Sequence, residues 1–274
     1  MNSMAGNNKK NYLVETALLG HGLISVKSDD IISQWPKGAV LAWIEGGQPK
    51  IGNIEEFLLA KESINNWKRF DGLKLKEKFN KNTNAYLTAS GTMVIAKKTG
   101  YPVVVTAGIG GIGDIKAERL CYDLPALSQL GITLVATSPK DMLDIPATLS
   151  WLKDNGVKIF GVNTKYCNGY IMKLDDYKLS VNLSYEDLNK MPYGCNLILN
   201  PIKEEKRLKN KYFLDEAIKS GKKAELEGTH YHPVANACFD RLSLGLSSKI
   251  QFDALISNIE IAELITNRKL KFND

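Results

Sequence analysis

Four glycines follow an apolar stretch in the middle of the chain and form the first pattern with chemical meaning. The segment Tyr101 to Gly113 reads YPVVVTAGIGGIG, with its glycines at 108, 110, 111 and 113, which fits the spacing G-x-G-x-x-G. A β-strand that runs into such glycines can hold the diphosphate of a dinucleotide. The glycines can also bring backbone close to another phosphate or to a sugar.

A dinucleotide site needs an acidic residue after the next strand, and the sequence does not supply it. The next apolar stretch ends in Thr137-Ser138-Pro139-Lys140, where an Asp or Glu for the ribose would stand. Lys140 instead occupies the carboxyl end of a predicted strand, where α/β proteins bind their ligands. The spacing alone leaves open a lysine that starts a helix and points into water.

Predicted strands and helices, which would position this lysine, alternate along the chain. The alternation favours an α/β fold with a largely parallel central sheet and helices on both faces. No linker, repeat or low-complexity segment divides residues 1–274, so we expect a single domain. The predicted strands are NYLVETALL, AVLAWIE, AYLTAS, YPVVVTA, ITLVATS, VKIFGVN and LILN. The predicted helices are IEEFLLAKESINNW, TMVIAKKTG, residues 114–129, PKDMLDIPATLSWLKDNG, EEKRLKNKYFLDEAIKSGKKAELEG and a C-terminal pair that ends in LISNIEIAELITNRK.

Composition narrows the class of protein. The chain is 44% hydrophobic and carries a formal charge of +6, with lysine clusters at 203–211 and 219–223 interleaved with acids, so we expect solvated helix faces and no nucleic-acid partner. No apolar run reaches the length of a membrane span, and no signal segment stands at the start. The four cysteines lack metal-ligand spacing, which is typical of free thiols in a cytoplasmic protein.

Several ordered segments resemble one known family, the pseudouridine-5′-phosphate glycosidases, also called indigoidine synthase A-like proteins. TASGTMVIAKKTGYPVVVTAGIGG resembles the family block T-x-A-x-T-M-x-x-A-x-x-A-G-I-x-V-F-A-T-G-G-I-G-G, and ETALLGHG is similar to E-S-T-I-I-x-H-G. Asp123-Leu124 and the later SPKDMLD resemble D-L and G-x-K-S-I-L-D at an unchanged interval. AWIEGGQPKIG and LNPIKEE resemble A-x-I-x-G-x-x-x-V-G and A-N-P-I-P-E-E.

The resemblance implies a three-layer α/β/α domain, a homotrimer, and reversible cleavage of a C–C glycosidic bond in a ribose 5-phosphate compound. Carried over, Lys140 is the nucleophile that forms an imine with the sugar C1′, and Glu15 is the acid/base. An imine fits this chemistry because a carbanion leaving group needs an electron sink. A lysine has a reference pKa near 10.4, so such a site must favour the neutral amine.

The resemblance also supplies candidates for substrate binding. His21 belongs to the same motif as Glu15 and is expected to line the site. The alternative is that His21 is a turn residue whose side chain hydrogen-bonds the backbone. Asp123 is expected to hold a sugar hydroxyl or orient Lys140, and the alternative is a helix N-cap. Lys68 or Arg69 stands where the family places its phosphate-binding lysine. Backbone at Gly108, Gly110 and Gly111 is expected to pack against the sugar phosphate.

Three departures from the family pattern suggest a changed substrate or cofactor. The base-side histidine of V-H-R-G is missing after Gly111. The family's Mn²⁺-binding aspartate aligns with Arg119, whose guanidinium could replace the ion, so the Mn²⁺ is doubtful. Lys249 in SKIQFD aligns with an asparagine that faces the base. The expected activity is therefore cleavage or synthesis of a C-glycoside of ribose 5-phosphate with uracil or another ring. The alternatives are a C-glycosynthase with a non-uracil aglycone and an inactive homologue that binds ribose phosphate.

Overall fold

The computed structural model describes residues 11–116, 119–229 and 231–267. The strands are β1 Tyr12–Val14, β2 Leu41–Glu45, β3 Gln48–Gly52, β4 Lys68–Phe70, β5 Ala85–Leu87, β6 Val103–Val105, β7 Thr133–Ala136, β8 Lys158–Val162, β9 Tyr166–Cys167, β10 Tyr177–Lys178, β11 Val181–Leu183 and β12 Asn196–Leu199. The α-helices are α1 Ser28–Gln34, α2 Ile54–Ser63, α3 Ala89–Thr99, α4 Asp123–Gln129, α5 Ile145–Asp154, α6 Tyr212–Leu226, α7 Tyr231–Leu242 and α8 Leu246–Thr266. A π-helix spans Leu18–Gly22, and 3₁₀ turns span Lys74–Lys76, Tyr185–Lys190 and Glu204–Lys206.

Ten of these strands form one sheet, and most of its pairings are parallel. The order is β11-β8-β12-β7-β6-β1-β2-β5-β4, with β3 beside β2. Only the β2–β3 and β2–β5 pairs of this sheet are antiparallel within the described residues. Strands β9 and β10 form a separate antiparallel ribbon. The predicted α/β class with a largely parallel central sheet is confirmed.

Two hydrophobic cores lie on opposite faces of the sheet. Along β1, Tyr12 and Val14 belong to one core, and Leu13 belongs to the other. Helix α8 contributes Phe252 to the first core, and α3 contributes Met93 to the second. Because side chains alternate between the faces of a strand, a strand covered on both faces must be apolar throughout. This explains why the strand sequences are continuous apolar runs.

The predicted elements agree with the structure at the centre of the sheet and less well around it. All seven predicted strands are present, but the first ends at Val14 and gives way to the π-helix. The helix predicted over residues 114–129 is shortened to α4, since residues 114–116 and 119–122 lie outside any helix. Strand β4 was not predicted. None of the helices in the described part of the chain is long and apolar enough to span a membrane.

The carboxyl ends of several strands converge on one region. Strand β5 runs antiparallel to β2 and parallel to β4, so its last residue lies beside the end of β1. The Thr16 amide accordingly bonds the Leu87 carbonyl, at 3.2 Å. Strands β6 and β7 lie on the other side of β1 and end at the same edge. The polar residues that follow β1, β5, β6 and β7 therefore meet.

Candidate functional site

Glu15 is the first residue after β1, and its carboxyl group is buried. The side chain is 7% exposed, and the Thr106 hydroxyl donates a hydrogen bond to Glu15 Oε1 at 2.7 Å. Burial raises the pKa of Glu15 from 4.5 to about 7. The Thr106 hydrogen bond, Lys140 and Arg69 oppose this rise, and Asp123 adds to it. A carboxyl group that titrates near neutral pH can both donate and accept a proton.

Lys140 is held beside the glycine segment by main-chain hydrogen bonds. The ladder between β6 and β7 continues past the strands, because Thr137 N bonds Ala107 O at 2.9 Å and Ile109 N bonds Ser138 O at 3.1 Å. Lys140 N then bonds Ile109 O at 3.2 Å. The predicted lysine is thus fixed at the carboxyl edge of the sheet by the segment that the G-x-G-x-x-G spacing singled out.

Asp123 is buried and uses both carboxylate oxygens on backbone N–H groups. Ser90 N donates to Oδ1 at 2.9 Å, and Gly110 N donates to Oδ2 at 3.0 Å. Its side chain does not cap α4, to which it belongs, but binds the first turn of α3. Asp123 therefore joins α3 to the glycine segment, and it lines the same cavity as Glu15 and Lys140.

The three glycines predicted to contact substrate have different surroundings. Gly108 lines the cavity, and a Cβ there would lie 2.9 Å from the Tyr170 ring. A Cβ at Gly110 would lie 2.2 Å from Cys121 Sγ, and one at Gly111 would lie 2.5 Å from Thr148 Oγ1. Gly110 and Gly111 are glycines because protein side chains pack against them, and neither lines the cavity.

A narrow cavity of about 60 Å³ brings the charged candidates together, and we call it the inner cavity. Glu15, Arg69, Asp123 and Lys140 all line it. Its wall also includes His21, Thr88, Gly108, Tyr170, His232, Asn236 and Gln251. Two carboxyl groups, a lysine and an arginine in so small a volume suit the attack of an amine on a sugar carbon with proton transfer beside it.

A larger groove of about 950 Å³ adjoins the inner cavity, and we call it the outer groove. Arg69, His21 and His232 line both spaces. Lys68 lines only the outer groove. Of the two cations proposed for the phosphate, the structure therefore places Arg69 in the cavity that Glu15 and Lys140 line. His21 packs edge-on against Tyr86, with ring centroids 4.6 Å apart.

Two predicted residues lie elsewhere. Arg119 is exposed and does not line the inner cavity. Its charge helps to lower the pKa of Asp114, although Lys222 lowers that pKa more. Lys249 is exposed on α8, where Nζ lies 3.4 Å from Asp253 Oδ1. The alignments that placed Arg119 at a metal position and Lys249 beside the base do not correspond to positions at the cavity.

The described residues do not fit the Mn²⁺ that the resemblance implies. No group of three or more His, Cys, Asp and Glu side chains in the described ranges is arranged to hold a metal ion. Asp123 has both oxygens bonded to backbone N–H groups. The Arg119 guanidinium does not replace the ion either, because this side chain lies outside the cavity.

Sequence reasoning missed two residues that shape the site. Asn258 is fully buried on α8 and donates to Thr106 O at 2.8 Å and Thr137 Oγ1 at 3.1 Å, so it fixes the turns after β6 and β7. The sequence did contain a signal for Asn258. The family motif S-N-I, which had been aligned with the segment at Lys249, occurs unchanged at Ser257-Asn258-Ile259. Tyr170 carried no signal, because it follows a short ribbon strand outside every matched motif.

Comparisons with known proteins identify the relatives of this chain. The family model described as indigoidine synthase A like protein matches residues 29–268, which include Arg69, Asp123 and Lys140. A pseudouridine-5′-phosphate glycosidase of Mycoplasmopsis agalactiae is 29% identical over 78% of this chain and 77% of its own length. One of Caldanaerobacter subterraneus is 28% identical over 92% and 89%.

Two solved structures share the fold. The prealnumycin C-glycosynthase AlnA, in complex with ribulose 5-phosphate, superposes with a TM-score of 0.76 at 21% identity and covers 93% of this chain and 91% of its own. An indigoidine synthase A-like protein of Thermotoga maritima gives 0.75 at 22% identity, with the same coverage. Because the family model matches residues 29–268, which hold every element of the fold except β1, the π-helix and the first residue of α1, this chain belongs to the indigoidine synthase A-like proteins.

Proposed function

We propose that this protein is a C-glycosidase-type enzyme that makes or breaks the bond between C1′ of ribose 5-phosphate and the carbon of a ring aglycone. The observation that carries the proposal is the inner cavity, which Lys140 and Glu15 line together with Asp123 and Arg69. Relatives named pseudouridine-5′-phosphate glycosidase and the fold shared with a C-glycosynthase support this substrate class.

In the bond-forming direction, the proposed reaction begins at the Lys140 amine. The Lys140 amine condenses with the C1 aldehyde of open-chain ribose 5-phosphate and releases water, which leaves a protonated imine. The aglycone carbon adds to C1, and the C=N electron pair returns to nitrogen. Glu15 takes the proton that the aglycone carbon loses. The O4′ hydroxyl then attacks C1 and displaces the amine, its proton passes to the departing nitrogen, and the ring closes. Cleavage follows the same steps in reverse.

Proton transfer is the role that the environment of Glu15 supports best. With a pKa of about 7, this carboxyl group is present in both forms near neutral pH. Asp123 has a different role, because backbone N–H groups bind both of its oxygens. We assign to Asp123 the positioning of the glycine segment against which Lys140 is hydrogen-bonded.

Borohydride trapping tests the covalent step. The protein is incubated with ribose 5-phosphate and reduced, and the intact mass is measured. We expect a stable adduct of one ribose phosphate less one oxygen atom, on a peptide that contains Lys140. Lys140→Ala should give no adduct, while the exposed Lys249→Ala should react like the wild type. An unmodified wild-type protein at saturating sugar would overturn the mechanism and favour a ribose-phosphate-binding homologue without activity.

The outer groove favours a second candidate, synthesis with an aglycone larger than uracil. It offers about 950 Å³ next to the inner cavity, and Trp67 and Tyr231 line it beside several cations. Aromatic walls with a few polar groups are typical of sites for planar ligands. A panel of ring compounds incubated with ribose 5-phosphate decides between the two, since turnover with uracil alone would contradict the larger aglycone.

We extend the proposal to a homotrimer that acts in the cytoplasm without nucleic acid. The family resemblance suggests the trimer, and the free cysteines of the described residues suit a reducing compartment. Light scattering coupled to size exclusion should give three times the chain mass of 30.4 kDa. A monomer in that measurement would contradict the assembly but not the chemistry.

A further inference from the structure

Tyr170 is fixed in place by the residue that follows the candidate nucleophile. The buried Asp141 accepts three successive backbone hydrogen bonds, from Tyr170 N at 2.6 Å and from Ile171 N and Met172 N at 3.0 Å each. Since Lys140 and Asp141 are adjacent in the chain, the segment that carries Tyr170 is tied directly to the segment that carries the amine.

A buried arginine holds the same segment from the other side. Arg207 donates to the carbonyl oxygens of Asn168, Gly169 and Met172 at 2.8 to 3.3 Å. Gly169 has a φ of +100°, and a Cβ there would lie 2.4 Å from Met172 O, so only glycine fits this turn. Few alternative positions remain for a ring that is anchored in this way.

The Tyr170 ring lies against the Gly108 backbone and forms a wall of the inner cavity. A Cβ at Gly108 would lie 2.9 to 3.2 Å from its ring atoms, and Tyr170 itself is 3% exposed. Burial, together with the charges of Glu15 and Asp141, raises the pKa of the phenol well above its usual value, so the hydroxyl keeps its proton. The Tyr170 amide is bonded to Asp141, and the side chain is part of the wall of the inner cavity, where a bound group can meet it.

We propose that Tyr170 is a specificity-determining residue whose phenol hydrogen-bonds the 2-hydroxyl of the ribose, and this inference rests on the proposed function. The inner cavity measures about 60 Å³, so a group that contacts Tyr170 lies within a few ångströms of the carbon attacked by Lys140. The hydroxyl nearest to C1 of ribose is the one on C2. The site therefore selects ribose 5-phosphate over 2-deoxyribose 5-phosphate.

The test compares the two sugars in the wild type and in Tyr170→Phe. Both sugars have an aldehyde that can form an imine, so the concentration that gives half-maximal borohydride trapping is measured for each. We expect the wild type to favour ribose 5-phosphate by about fivefold, the usual effect of one hydrogen bond, and Tyr170→Phe to reduce this preference to about twofold or less. The exposed Tyr166→Phe should retain the full preference.

Two outcomes would overturn the inference, and they are distinguishable. If the wild type is trapped by both sugars and Tyr170→Phe keeps the same preference, Tyr170 only fills space, and the proposed function stands. If neither sugar is trapped by the wild type, the lysine mechanism fails, and the role of Tyr170 fails with it. Because phenylalanine preserves the ring packing on Gly108, a lower melting temperature of Tyr170→Phe is not expected.

Discussion

The Thr106 hydroxyl donates a hydrogen bond to Glu15 Oε1 over 2.7 Å, and this contact counteracts the effect of burial on the carboxyl group. Asn258 in turn fixes the position of Thr106, because its side-chain amide donates a hydrogen bond to the Thr106 carbonyl oxygen at 2.8 Å. A residue of the last helix is thus linked through Thr106 to Glu15, the proposed acid/base that follows the first strand. The apparent pKa of the proposed catalyst depends on this chain of contacts.

Replacing Thr106 with valine should therefore change the pH profile. Thr106→Val removes the donor, the largest of the contacts that oppose the effect of burial, so the pKa of Glu15 should move upward from about 7. A hydrogen bond worth about 1 kcal/mol corresponds to a shift of about 0.7 pH unit. The measurement is kcat against pH. Thr106→Ser keeps the hydroxyl and serves as the control, and identical profiles for the two variants would contradict the assignment.

Glu15 should also make stability depend on pH. Its pKa is about 7 in the folded protein and 4.5 without burial, so the folded protein binds more protons between these values. The stabilisation from the protonated form is complete below pH 4.5 and is lost as the pH rises through 7. Relative to Glu15→Gln, which stays neutral, the wild type should lose up to roughly 3 kcal/mol across this window.

Melting temperatures of the wild type and Glu15→Gln at pH 5 and pH 8 measure this effect. The gap between them should widen at pH 8 in favour of the variant. Glu260→Gln, which replaces an exposed carboxylate on α8, is the control. A gap that stays the same at both pH values would show that the Glu15 carboxyl is not buried in solution.

The central sheet, and the placement of Glu15 and Lys140 at its edge, were predictable because both depend on local sequence patterns. Apolar runs predict strands that are covered on both faces, and the motifs around Glu15 and Lys140 lie directly after such runs. The absence of an Asp or Glu after β7 argued against a dinucleotide site and directed attention to Lys140 at the same strand end. The distance between the two residues was not predictable, since it depends on the order in which the strands pair.

The remaining site residues depend on packing that sequence spacing does not express. Arg119 and Lys249 were placed by alignment across segments that differ from the family in length or letters, and their side chains lie outside the inner cavity. Asn258 acts on turns more than a hundred residues away, through contacts made by the folded chain. The spacing of Gly110 and Gly111 suggests a phosphate-binding loop, but in the folded chain Cys121 packs against Gly110 and Thr148 packs against Gly111.

Arg69 and Lys68 are adjacent in sequence but should differ in function. Arg69 lines both the inner cavity and the outer groove, while Lys68 lines only the groove. A charge-assisted hydrogen bond to phosphate contributes about 1.5–3 kcal/mol, so Arg69→Ala should raise the KM for ribose 5-phosphate by about 10- to 100-fold. Lys68→Ala should change it by less than about threefold. Equal effects of the two substitutions would contradict the placement of the phosphate.

Asp123 should tolerate the loss of its charge poorly. In Asp123→Asn one oxygen becomes an NH₂ group that faces a backbone N–H of Ser90 or Gly110. The unfolding free energy should fall by about 1–3 kcal/mol, because a buried N–H loses its acceptor. Denaturant titration measures this, with Asp253→Asn, in the surface ion pair with Lys249, as the control. An Asp123→Asn protein as stable as the wild type would show that these N–H groups find other acceptors.

Chelation should leave the reaction unchanged. The described residues offer no cluster of His, Cys, Asp and Glu that could hold a metal ion, and both Asp123 oxygens are bonded to backbone. A Lewis acid is also not needed for the imine route, because the protonated imine takes up the electron pair of the breaking bond. Turnover and borohydride trapping are measured before and after dialysis against EDTA, and again with added Mn²⁺. A loss of turnover in EDTA that Mn²⁺ restores would show that a metal ion binds through groups other than those identified in the inner cavity.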